Sequence, residues 1–169
     1  MIKALTAEIW AVYAAMVERH NGVFGGCWCT WFHRPADDAP GVAGLGDGYE
    51  SNRQIKEALV REGRSRAALV LDGDEMIAWC QFGTPDELPN IYRRKQYLQE
   101  TARLPDFRLT RIFVDKRYRH RGVSAIALRG ALELIAAAGG GVVEGYPHAA
   151  PVAAVSERRR GAGPACCGT

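Results

Sequence analysis

RIFVDKRYRHRGVSAIALRGALELIAAA, residues 111–138, is the stretch that decides the fold. An apolar run (Ile112, Phe113, Val114) enters a basic turn (Lys116 to Arg121, then Gly122), and the turn opens directly into an Ala/Leu/Ile helix. A helix start leaves its first N–H groups unpaired and carries a positive partial charge, so it receives a phosphate without any particular side chain. The flanking Arg and Lys residues add full charges and forked donors.

Two phosphate loops are ruled out by spacing. Arg121-Gly122-Val123-Ser124 lacks the lysine of a Walker loop, and the single Gly122 falls short of the three glycines of a dinucleotide fingerprint. Arg119, His120, Arg121, Gly122, Val123 and Ser124 instead resemble the pyrophosphate loop of the GNAT superfamily of acyl-CoA-dependent N-acyltransferases, Arg/Gln-x-x-Gly-x-Gly/Ala. Ser124 stands where that family has Gly or Ala, and the Val114-Asp115-x-x-Tyr118-Arg119 junction is similar to the family's strand-to-loop junction. The resemblance implies an α/β fold: a GNAT-like mixed central sheet, with an antiparallel hairpin and a parallel strand-helix-strand unit, flanked by helices.

The 169 residues fit one domain, and 47% apolar with 24% charged residues is ordinary for a globular chain. No apolar run reaches the length that spans a bilayer, and Met1 to Trp10 lack a signal peptide's apolar segment, so the expectation is cytoplasmic with no membrane partner. A net charge of +3 is too small to argue nucleic-acid binding, and five cysteines without a secretion signal argue for reduced thiols. Cys27, Cys29 and His33 are spaced poorly for a structural zinc, because Cys-x-Cys in an extended chain points to opposite faces; no metal is expected.

Along the chain, Thr6 reads as the cap of a first helix carrying Ile9, Tyr13, Met16 and Val17 on one face and ending near Gly22. Val23 to His33, dense in aromatics and glycine, is a buried strand or an ordered loop lining a pocket, and Arg34 to Tyr49 is an irregular loop. Ser51 with Gln54 reads as a capping box opening a second helix with Ile55, Ala58 and Leu59 inward. Asp72-Gly73-Asp74 between Ala67–Leu71 and Met76–Phe82 signals a hairpin. A short helix is expected within Asn90 to Thr101, a strand over Arg108–Val114, a helix over Val123–Ala138 with Ile126, Leu128, Leu132, Leu134 and Ile135 packed, and a buried parallel strand over Val142–Tyr146.

Residues 148–169 hold no Leu, Ile, Met or aromatic and read as a low-complexity, disordered tail beyond a single domain at 1–147. The Asn, Tyr and Gly-Phe signals with which GNAT proteins announce and close their last strand-helix-strand elements are not found after Tyr146. The expectation is therefore a C-terminally incomplete fold, lost by truncation or a shift of reading frame, with an exposed sheet edge prone to dimer formation.

The resemblance implies an N-acetyltransferase moving acetyl from the cosubstrate acetyl-CoA to a primary amine on a small molecule or protein. The loop from Arg119 to Ser124 would hold the pyrophosphate, and backbone groups of Phe113 and Val114 the pantetheine arm. Glu144 is the best carboxylate for amine deprotonation, the alternative being a strand-end glutamate that only pairs with an arginine, and Tyr146 is a candidate for the leaving-group proton. Two alternatives stand beside it: a degenerate GNAT-like domain that binds CoA without turnover, and a basic-loop nucleic-acid module, against which Tyr118 is the one stacking aromatic beside the loop.

Overall fold

The computed structural model describes residues 1–35 and 48–146. Five strands form one sheet in sequence order: β1 (Ile2–Ala4), β2 (Arg66–Asp72), β3 (Glu75–Gly83), β4 (Phe107–Val114) and β5 (Val143–Gly145). The first four pair antiparallel, and β4 pairs with β5 in parallel. Helices α1 (Trp10–Arg19), α2 (Tyr49–Arg61), α3 (Arg94–Glu100) and α4 (Val123–Ala137) flank it. The expected hairpin is β2–β3, turning at Gly73 with φ +59°. The insertion helix is α3, and the strand-helix-strand unit is β4–α4–β5.

Two cores cover the two faces. Toward α1, Trp79 stacks on Phe113 at 4.7 Å, Tyr13 meets Trp79 edge-on at 5.5 Å, and Trp28 is fully buried. Such pairs add about 0.5–1.5 kcal/mol each beyond their buried area. Toward α4, Ala68, Val70, Ala78, Cys80 and Phe82 pack under Val123, Ala127, Ala131 and Ile135.

Several expectations are corrected. β1 is an additional edge strand, paired Ile2 to Val70 and Ala4 to Ala68. Helix α2 starts at Tyr49 after Gly48, so Ser51 lies inside the first turn and cannot cap. Its inward residues are Asn52, Lys56 and Val60, while Ala58 is exposed. On α4, Ile126 and Leu132 are more than 40% exposed; small residues face the sheet, and a Cβ on Gly130 would stand 2.7 Å from Ile2 Cγ2. β5 is half-buried to exposed rather than buried. Thr6 makes no side-chain cap; of the two readings of Val23–His33 the ordered loop holds, a series of turns ending in a 3-10 turn at Trp31–His33 whose Phe32 lines a cavity. Most of the Arg34–Tyr49 loop and the 148–169 tail lie outside the described residues.

Candidate active site

The site is built on the C-terminal half of β4. Gln81 pairs with Arg111 but Phe82 pairs with Leu109, so Thr110 is an extra residue, a bulge. The parallel ladder to β5 runs from Phe107 opposite Val143 to Leu109 opposite Gly145 and stops there. From Thr110 to Val114, β4 has β3 on one side and no strand on the other among the described residues. An extended ligand meets an open backbone edge at that position.

Beyond Val114 the chain makes a 3-10 turn (Lys116–Tyr118) and a loop with His120 at φ +62° and Gly122 at φ +73°, and Gly122 caps α4. Among the described residues, no acceptor takes the N–H groups of His120, Arg121, Gly122, Val123 or Ser124. Nothing lies within 4 Å of the place a Gly122 Cβ would occupy. Arg119, His120, Arg121 and Ser124 are exposed and Val123 is buried.

A buried carboxylate fixes the loop's entry. Asp115 accepts from the backbone N–H of Arg117 at 2.9 Å and from its guanidinium at 2.7 Å, and pairs with Arg19 at 3.2 Å. Glu75 bridges Arg117 and Arg19 at 2.6 and 2.8 Å. Hydrogen bonds from Arg117 hold the Asp115 carboxyl well below the usual carboxylate range, against the opposing effect of burial.

Phe113 points its ring into the α1 core, against Trp79, His20 and Phe24, so only its backbone faces the open edge. On β5, Glu144 sits opposite Arg108 in the ladder and accepts from Tyr97 Oη at 2.5 Å. Arg108 is buried and donates to Leu88 O at 2.7 Å. Tyr146, one residue past β5, packs edge-on to Tyr97; its buried hydroxyl has no partner among the described residues. Burial pushes that hydroxyl above the usual tyrosine range. Tyr146 lines a small cavity of about 50 Å³ with Phe32, Ile91, Tyr92, Thr110 and Arg111. Glu144 is not among those lining residues, so the two sequence-selected side chains share Tyr97 but not the cavity.

A polar cluster missed in the sequence lies under this wall. Lys56, 1% exposed, donates to Gln81 Oε1 at 3.1 Å and stands 3.5 Å from His33 Nε2. His33 Nδ1 lies 2.9 Å from Glu87 O, which fixes the proton on that nitrogen and leaves Nε2 to accept from Ser65 Oγ at 3.2 Å. Burial lowers Lys56 to about 8, and burial followed by the Lys56 cation lowers His33 to about 3. Cys27 and Cys29 are buried beside Trp28 in the aromatic core, and no group of three His, Cys, Asp or Glu side chains gathers as a metal set among the described residues. A lysine on a helix face shared with Asn52 and Val60 carries no distinctive sequence signal.

No family model and no curated protein sequence matches the chain. Solved structures do match in fold. A probable acetyltransferase superposes with a TM-score of 0.56 at 16% identity, over 97% of this chain and 90% of that one. A ribosomal-protein-alanine N-acetyltransferase from Brucella melitensis biovar Abortus 2308 gives 0.52 at 9%, over 96% and 92%. An aminoglycoside N-acetyltransferase in complex with CoA gives 0.54 at 12%, over 94% and 82%. The fold is that of the GNAT-family acetyltransferases: among the described residues, a mixed five-stranded sheet, antiparallel with one parallel pair, flanked by four helices. At these identities the likeness extends to the fold. Among the described residues no helix is long and apolar enough to cross a membrane.

Proposed function

We propose that the chain is an N-acetyltransferase that takes acetyl from acetyl-CoA and passes it to a primary amine. The observation that carries this reading is the juxtaposition of β4's open edge with unpaired N–H groups at the start of α4, directly downstream. The donor set fits a pyrophosphate: left-handed residues at His120 and Gly122, unpaired amides from His120 to Ser124, and exposed guanidiniums at Arg119 and Arg121. A nucleic-acid role has less support, because the open strand edge beside the loop has no use in backbone-phosphate binding.

When bound, acetyl-CoA supplies an activated thioester. Backbone groups of Phe113 and Val114 would align the pantetheine arm along the open edge, and Arg119 to Ser124 would hold the pyrophosphate. An amine nucleophile must lose a proton as its N–C bond forms, and the thiolate released as the C–S bond breaks must gain one. Glu144 takes the first proton, with Tyr97 orienting its carboxylate. Tyr146, kept protonated by burial and lining the adjacent cavity, gives the second. A cytoplasmic location and a homodimer through the exposed outer edge of β5 belong to the same reading; sedimentation tests the dimer.

Calorimetry with acetyl-CoA on the natural chain and Gly122→Asp tests the reading. The new side chain enters open space, places a carboxylate where the phosphates bind, and is expected to weaken binding at least about tenfold. Equal affinity would remove the loop from the site, and no binding by the natural chain would end the reading.

A further inference from the structure

We propose that Tyr97 is a proton relay between the two side chains assigned to acetyl transfer, returning to Tyr146, after each turnover, the proton that Glu144 has taken. The inference rests on the acetyltransferase reading and adds the step that resets its site. One turnover leaves Glu144 as a carboxylic acid and Tyr146 as a phenolate. The site works again only when Glu144 has lost a proton and Tyr146 has gained one.

Bulk solvent is poorly placed to do this at Tyr146. Its hydroxyl is buried and has no hydrogen-bond partner among the described residues, so a proton given away there is replaced through a neighbouring group. Tyr97 is that neighbour. Its ring meets the Tyr146 ring edge-on with centroids 6.2 Å apart, and its hydroxyl donates to Glu144 Oε2 at 2.5 Å. Glu144 lies on β5 and Tyr146 just past it, and Tyr97 comes in from α3 to meet both.

The bond between Tyr97 and Glu144 reverses with the charge on the carboxyl. An ionised carboxylate only accepts, so Tyr97 donates in the resting site. Once Glu144 is protonated it becomes a donor; Tyr97 then accepts from it and turns its own O–H to the Tyr146 phenolate, directly or through one water. In each transfer one O–H bond breaks and one forms: the Glu144 proton goes to Tyr97 Oη, and the Tyr97 proton to Tyr146 Oη. The direction is downhill, because a phenolate is a far stronger base than a carboxylate. Burial first, then the Glu144 charge and Tyr97 itself, hold the Tyr146 hydroxyl above the usual tyrosine range, while the Arg108 cation opposes them. Arg108, buried opposite Glu144 with its guanidinium carbon 5.9 Å from the centre of the Tyr97 ring, steadies the phenolate until it is reprotonated.

The test follows thiol release from acetyl-CoA by stopped flow, with butylamine, spermidine and an alanyl peptide as acceptors, in the natural chain and Tyr97→Phe, at protein concentrations that resolve the first turnover. Helix α3 buries no residue and phenylalanine keeps the ring, so the variant is expected to fold. Its first turnover should stay within about threefold of the natural chain's, and its later turnovers should slow at least about tenfold. Tyr97→Met, which also lacks the hydroxyl, carries the same expectation if the phenylalanine variant fails to fold. Slowing of both phases to the same degree makes Tyr97 an orienting group only and overturns the relay, as do later turnovers at the natural rate; each leaves acetyl transfer standing. A readout free of turnover is a crystal structure of the ligand-free protein. Tyr146 Oη joined to Tyr97 Oη, directly or through one ordered water, supports the relay, and a gap with neither overturns it. A natural chain that acetylates none of these amines overturns the acetyltransferase reading and this inference with it.

Discussion

Replacing Lys56 by methionine should change how stability depends on pH more than it changes stability at neutrality. Lys56 is buried in the folded protein, where it titrates near 8 against an ordinary value of 10.5. Between those values the unfolded chain holds the proton and the folded chain does not. Unfolding takes up a proton there, so raising the pH stabilises the fold. The full difference corresponds to about 3 kcal/mol, absent below pH 8 and complete near 10.5. At pH 7, Lys56→Met removes the cost of a buried charge but strips Gln81 Oε1 of its donor, worth about 1–3 kcal/mol in the other direction. The two proteins should therefore lie close together at pH 7, and the natural chain should gain about 3 kcal/mol on the variant by pH 10.5. Urea unfolding of both at half-unit intervals measures this. The comparison must be a difference, because the Cys80 thiol, pushed up to about 12 by burial, lowers stability above pH 9 in both proteins. A difference that stays flat from pH 7 to 10.5 would refute the reasoning and place the Lys56 amine in contact with solvent.

Asp115→Asn should cost about 2 kcal/mol at pH 7 by chemical denaturation, since Arg117 and Arg19 lose a buried carboxylate but remain half-exposed. Because the folded carboxyl lies below its ordinary value, its stabilisation is present above about pH 4 and fades as pH falls; the variant's acid limb should be correspondingly shallower. Gly130→Ala should lose about 1 kcal/mol despite alanine's better helix propensity, and a double-mutant cycle with Ile2→Ala should recover it, because the new methyl strikes Ile2. Tyr146→Phe should lower kcat about a hundredfold with acetyl-CoA affinity unchanged; an unaltered kcat would remove the tyrosine from proton transfer.

The elements read correctly are those whose signals are local. Asp72-Gly73-Asp74 demands a tight turn whatever surrounds it, and the basic loop and the helix after Gly122 are set by neighbours within a few residues. The misreadings share a tertiary cause. On α2, apolar residues were expected inside, but Asn52 is buried because it donates to Gly26 O and accepts from Thr30, and Lys56 because Gln81 receives it. Partners 25 or so residues away leave no periodic trace. Likewise α4 turns Ala127, Gly130 and Ala131 to the sheet because Ile2 needs room, and β1, which supplies Ile2, is too short to signal itself. Glu144 was legible as a carboxylate on the strand after α4, yet its partner Tyr97 comes from an insertion whose docking no pattern announces.

The Thr110 bulge also divides β4 into two stretches with opposite facing rules. Phe107 and Leu109 belong to the α4 side, whereas beyond the extra residue it is Val114 that lies there and Phe113 that enters the α1 core. Side-chain identity on one half is thus uncoupled from the other. Substitutions around Arg111 leave the register of the loop that follows Val114 unchanged. A one-residue deletion elsewhere in β4 would instead invert every side chain on one side of it, so outside the bulge this strand admits exchange of residues far more readily than change of length.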